Sequence, residues 1–117
     1  MEQLQDYEIW FRKYKGTEMV RVMLEFCAVL LKNGRATAED THGVTVTNPS
    51  IRGAVARAIR RMGIADKEQI TFGSTSQSHG HAMFIWRLKD GVKAQALLNK
   101  AAETILETIA SKQLQLL

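Results

Sequence analysis

Arg52, Arg57, Arg60 and Arg61 fall within residues 48–64, "NPSIRGAVARAIRRMGI", a stretch without an acidic residue. Setting these four aside leaves 12 basic residues against 12 acidic ones, so the net charge of +4 is concentrated in one segment. A guanidinium is a permanent cation whose planar fork of donors matches phosphate oxygens or the O6 and N7 acceptors of guanine. The chemistry this spacing offers is recognition of a polyanion, most directly a nucleic acid.

Other residue types capable of chemistry make poorer constellations. His79 and His81 form an H-x-H pair that would share one face of a strand, a spacing compatible with a metal, yet no third ligand lies near them in the sequence. No metal and no cofactor are expected. Cys27, the single cysteine, stands inside the apolar run "VMLEFCAVLL"; it has no intramolecular disulfide partner and reads as a small buried hydrophobe. The neighbouring carboxylates Glu39 and Asp40 would point about 100° apart on a helix and suit its N-terminal dipole better than a shared ion. Neither a base with an orienting group around a serine or cysteine nor a glycine-rich phosphate loop can be assembled, so the expected activity is binding, not catalysis.

The elements that must position the arginines follow from periodicity and caps. Leu4, Tyr7, Phe11 and Tyr14 recur at helical spacing, with Trp10 beside them, and predict an N-terminal helix over 3–15 that ends at Gly16. Thr17 is a candidate N-cap for a second helix from about Glu18 to Lys32, closed by Asn33-Gly34. Between Val22 and Leu31 only Glu25 is charged, which marks this helix as the centre of the core. Thr37 is the next N-cap, for a short helix, and "VTVT" at 44–47 reads as an extended turn. Asn48-Pro49 starts the basic helix and Gly63 stops it. "QITFGST" and "AMFIWRL" predict a hairpin with the polar tip "SQSHGH", and Trp86 in its second strand is expected in the core. From about Asp90 the pattern is helical again. Leu98, Ala102, Ile105, Ile109 and Leu116 form a seam expected to pair two copies of the chain; the alternative is that it folds back onto the N-terminal aromatic stripe.

With 117 residues and 45% hydrophobic content, one domain is expected over 1–117. No apolar run reaches the length of about 18 residues needed to span a membrane, and the N-terminus lacks a leader pattern, so a cytoplasmic protein is expected. Projected at about 100° per residue, Ile51, Ala54, Val55, Ala58, Ile59 and Met62 share the core side of the basic helix. Gly53, Ala56, Arg57 and Arg60 lie opposite, with Arg52 and Arg61 at the margins. Small residues framed by arginines suit a helix that approaches base edges, and Gly53 calls for such a use because an interior glycine costs about 1 kcal/mol.

The order of core helix, short helix, turn, basic helix and hairpin, from about Thr17 to Lys89, resembles the winged-helix variant of helix-turn-helix DNA-binding domains. In particular, "IRGAVARAIRRMGI" followed by a hairpin ending "HGHAMFIWRL" is similar to the recognition helix and wing of small winged-helix proteins of bacteria and their phages. The resemblance implies a mainly α, α+β-class domain with a two-stranded hairpin wing; the extra helices expected in 1–16 and 90–117 flank it, the latter expected to dimerise because of its apolar seam. It implies Arg52, Gly53, Ala56, Arg57, Arg60 and Arg61 at double-stranded DNA and Ser76, Gln77, Ser78 and His79 at the wing tip. The expected function is that of a homodimeric transcriptional regulator or DNA-transaction assembly factor. Because "STSQSHGH" carries neither Arg nor Lys, the alternative is a protein-interaction module on the same scaffold, such as a phage-type inhibitor or adaptor, whose arginine face meets an acidic protein surface, with the wing as a further protein contact.

Overall fold

A computed structural model describes residues 6–14, 17–72 and 82–116 of the chain. The elements run α1 (Asp6–Tyr14), α2 (Glu18–Asn33), β1 (Arg35–Ala36), a 3-10 turn (Ala38–Thr41), α3 (Ser50–Arg61), β2 (Ala65–Phe72), β3 (Ala82–Leu88) and α4 (Gly91–Leu116). The molecule is mainly helical with a small antiparallel sheet.

α2 is the centre of the core, as its apolar run predicts. Val20, Val22, Met23, Phe26, Cys27 and Leu30 are all buried, and α3, α4 and the sheet pack around them. Each large side chain hidden here stabilises the fold by about 1.5–3 kcal/mol. Thr17 occupies the position before α2, but its hydroxyl turns back and donates to the Tyr14 carbonyl at 2.6 Å instead of capping the helix. The other end closes as the sequence predicts: Gly34 adopts φ +76° and its N–H donates to Leu30 O at 2.7 Å.

The sheet differs from a two-stranded hairpin. Arg35 and Ala36, leaving the α2 cap, pair antiparallel with Arg87 and Trp86, so the strand order is β1-β3-β2. A two-residue strand is too short to leave a periodicity in the sequence. β2 also begins at Ala65, ahead of the apolar "QITF", because the polar segment 66–69, exposed at Lys67, Glu68 and Gln69, keeps its backbone pairing to β3 through an irregularity between Lys67 and Gln69.

α1 lays Trp10 and Phe11 onto the core, where their rings meet edge to face at 5.0 Å. α4 starts on Asp90, whose Oδ1 accepts from Lys93 N at 3.0 Å, and packs along α2. Its most buried stripe is Ala94, Leu97, Ala101 and Thr104. Leu98, Ala102 and Ile105 of the expected seam flank that stripe and are half-buried, Leu98 and Ile105 against the same core. Ile109 is exposed, and the Leu116 side chain lies outside the described set. The buried stripe is thus offset by about one residue from the expected seam, with the small Ala94 and Ala101 at its inner positions.

Candidate nucleic-acid interface

α3 is held by its neighbours before any ligand is considered. Asn48 Oδ1 accepts from Ser50 N at 3.0 Å, an Asx turn that starts the helix after Pro49. Glu18, the first residue of α2, accepts from Thr47 N and from its hydroxyl, both at 3.0 Å through Oε2, and so ties the loop before α3 to the core helix. Gly63, at φ +75°, ends the segment and releases the chain into β2.

Arg52 corrects the sequence projection. It is 9% exposed, its Nη2 donates to Val44 O at 2.7 Å, and its Nε has no hydrogen-bond partner. The side chain therefore secures the 44–47 turn, and burial pulls its pKa below the ordinary arginine value. Ala56 is corrected as well: it is buried against the sheet, at 5% exposure. With Arg52, Val55, Ala56, Ala58, Ile59 and Met62 inside, the buried arc is centred about 50° from the one projected, at 100° per residue. The outer arc is left to Gly53 and Ala54, which are half-buried, and to the exposed Arg57, Arg60 and Arg61. None of these three arginines has an ion-pair partner among the described residues. A Cβ on Gly53 would meet only Arg57 Nη1, at 3.4 Å, so the glycine is not demanded by helix packing.

The edge of this face toward the sheet forms a groove of about 320 Å³, lined by Ala38, Gly53, Ala56, Arg57, Arg60, Lys67, Phe84 and Trp86. Lys67 Nζ stands 4.0 Å from the centroid of Phe84, and Phe84 meets Trp86 edge to face at 6.2 Å. Trp86 is buried, as expected, while Phe84 is 38% exposed. Lys67 and Phe84 were not legible as site residues. Their side chains meet only because β2 and β3 pair in the register that sets Ile70 opposite Phe84 and Lys67 opposite Trp86.

The expected wing-tip contacts Ser76, Gln77, Ser78 and His79 lie outside the described residues, as does His81. No group of three or more His, Cys, Asp or Glu suited to a metal occurs among the described residues. Thr37 N donates to Asp40 Oδ2 at 2.7 Å, the capping use expected of the Glu39-Asp40 pair. Burial raises the Cys27 thiol to about 12. His42 is held below its ordinary value, first by burial and then by the charge of Arg52, against the opposing pull of Glu39 and Asp40.

Comparison of the chain with protein families, with curated proteins and with solved structures returned no match. No described helix is long and apolar enough to cross a membrane.

Proposed function

We propose that the protein binds double-stranded DNA without acting on it chemically, with α3 laid toward the major groove and the β2–β3 hairpin alongside as a wing. The observation that carries this reading is the outer arc of α3: Arg57, Arg60 and Arg61 exposed and unpaired among the described residues, beside Gly53 and Ala54. Small residues allow close approach of the helix backbone, and the guanidinium groups reach phosphates or guanine edges. A helix that follows a short turn and precedes a hairpin, on a three-stranded antiparallel sheet, is compatible with the winged-helix arrangement that the sequence resembles. Such a domain serves transcriptional control or the assembly of a DNA transaction in a bacterium or phage. The distal part of α4, where Leu106, Ile109 and Leu114 are exposed, is the surface left for a second copy of the chain.

Fluorescence anisotropy on labelled duplexes of random sequence tests the reading. If each of the three exposed arginines neutralises one phosphate, log affinity falls with log salt at a slope of about −2.7, a loss of roughly 40-fold between 50 and 200 mM salt. Arg57→Glu combined with Arg60→Glu should abolish binding with an unchanged circular-dichroism spectrum. Unchanged affinity in that folded variant would remove α3 from the interface.

A further inference from the structure

The groove between α3 and the sheet joins Arg57 and Arg60 to an aromatic floor and to Lys67, which the duplex-binding reading does not use. Its floor is apolar, made by Ala56, Phe84 and Trp86, and its rim carries three cations, Arg57, Arg60 and Lys67, with no acidic residue lining it among the described residues. The larger depression between α1 and α4 is different in kind: Glu8, Glu103 and Glu107 line it together with Arg12 and Lys100, so its charges oppose one another. A depression of about 250 Å³ between α1 and the end of α3 sets Lys13 and Arg61 beside Trp10 and Tyr14, but those rings are buried or half-buried; the α3 groove offers three cations around a wall that includes the exposed Phe84. At about 320 Å³ it lies at the low end of the range that encloses small organic groups, roughly 300–1,000 Å³.

An occupant must therefore be anionic at one end and flat and apolar at the other. A nucleotide freed from pairing meets both demands. A base inside a duplex has its faces covered by its neighbours in the stack, whereas an unpaired base has a face to lay against an aromatic ring. We propose that this groove takes one unpaired nucleotide of DNA, its base against Phe84 and Trp86 and its phosphate between Arg57, Arg60 and Lys67. In the unliganded chain Lys67 rests over the Phe84 ring, and it would swing from that face onto the phosphate as the base takes its place. The proposal rests on the DNA-binding reading, and it adds that the protein prefers a junction between duplex and single strand to a blunt duplex. Arg57 and Arg60 border both surfaces, so the two segments of such a junction would be held next to each other.

The experiment compares the wild-type chain with Phe84→Ala, Phe84→Leu and Arg61→Ala on a blunt duplex and on the same duplex carrying a short oligo-thymidine overhang, at fixed salt. The wild type should bind the overhang duplex roughly 5- to 150-fold more tightly, the range for one stacked base. Phe84→Ala should erase that preference while leaving blunt-duplex affinity within about twofold, whereas Arg61→Ala should weaken both duplexes and keep their ratio. Phe84→Leu preserves an apolar wall without a ring and replaces the alanine variant if that one fails to fold. Equal wild-type affinity for the two duplexes overturns the proposal while the duplex reading stands, and so does a preference that survives both Phe84 variants. Absence of blunt-duplex binding, with the overhang still bound through Phe84, overturns the duplex reading and keeps the groove. Absence of all binding overturns both.

Discussion

Replacement of Arg52 by alanine removes a buried guanidinium that donates to the Val44 carbonyl at 2.7 Å and leaves its own Nε without a partner. Three contributions set the result. The charge-assisted hydrogen bond is worth about 1.5–3 kcal/mol, and the two stem methylenes beyond Cβ contribute about 0.8 kcal/mol each. Against them, the unsatisfied Nε costs about 1–3 kcal/mol in the wild type, and this cost disappears with the side chain. The net expectation is a loss of about 2 kcal/mol in stability. Urea unfolding followed by far-ultraviolet circular dichroism reads this as a midpoint lowered by roughly 1 M, given slopes of about 1–3 kcal/mol per molar for small domains. Duplex affinity, measured by anisotropy at low temperature and corrected for the folded fraction, should stay within about twofold, because the side chain faces the 44–47 turn and not solvent. Arg52→Met keeps the stem and should lose less stability than the alanine variant. A variant with an unchanged midpoint and a tenfold weaker complex would refute the reasoning, since it would mean that Arg52 reaches DNA.

Gly53→Phe should fold, because the new Cβ meets only the mobile tip of Arg57, yet weaken duplex binding at least tenfold by holding α3 away from the bases; an unfolded product would show that helix packing needs the glycine. His42 has a folded pKa below its ordinary value of about 6.5, so below that pH the unfolded chain takes up protons more readily than the native one. Its contribution is therefore complete above about pH 6.5 and declines as acid titrates the histidine through its depressed folded pKa; His42→Gln should flatten thermal stability between pH 6.5 and 5, and an unchanged slope would dismiss this role. Ile109→Asp should leave a folded chain and, if the distal part of α4 pairs two copies, convert a dimer to a monomer in sedimentation; a wild type that is monomeric at tens of micromolar would remove the pairing.

Local signals carried most of the helical framework. Gly34 and Gly63 end their helices in the left-handed conformation that their residue type favours, and Asn48-Pro49 opens α3 within one residue of where it begins. What the sequence concealed depended on distant partners. Arg52 is polar and so projects outward, yet its long stem lets it lie inside while its head finds a backbone carbonyl eight residues earlier. β1 has only two residues and exists because β3 lies beside it. The Lys67–Phe84 contact depends on strand register, including the irregularity next to Lys67, which no single-strand pattern reveals. The offset of the α4 stripe followed the same logic, since the buried alanines at 94 and 101 are weak hydrophobic markers in a sequence.

The Glu18 tie to Thr47 bears on how the protein would discriminate among sequences. With the loop before α3 fastened to the first turn of α2, and Arg52 securing the same loop from the other side, little disorder remains to be lost when a ligand arrives. The ordering entropy is spent during folding. If α3 meets a duplex as proposed, a preorganised surface of this kind adapts poorly to an imperfect site, so accommodation would have to come from the duplex, and flexible pyrimidine–purine steps would be tolerated where stiff adenine tracts would not. Binding should then proceed without the large negative entropy and heat-capacity change that accompany folding coupled to association.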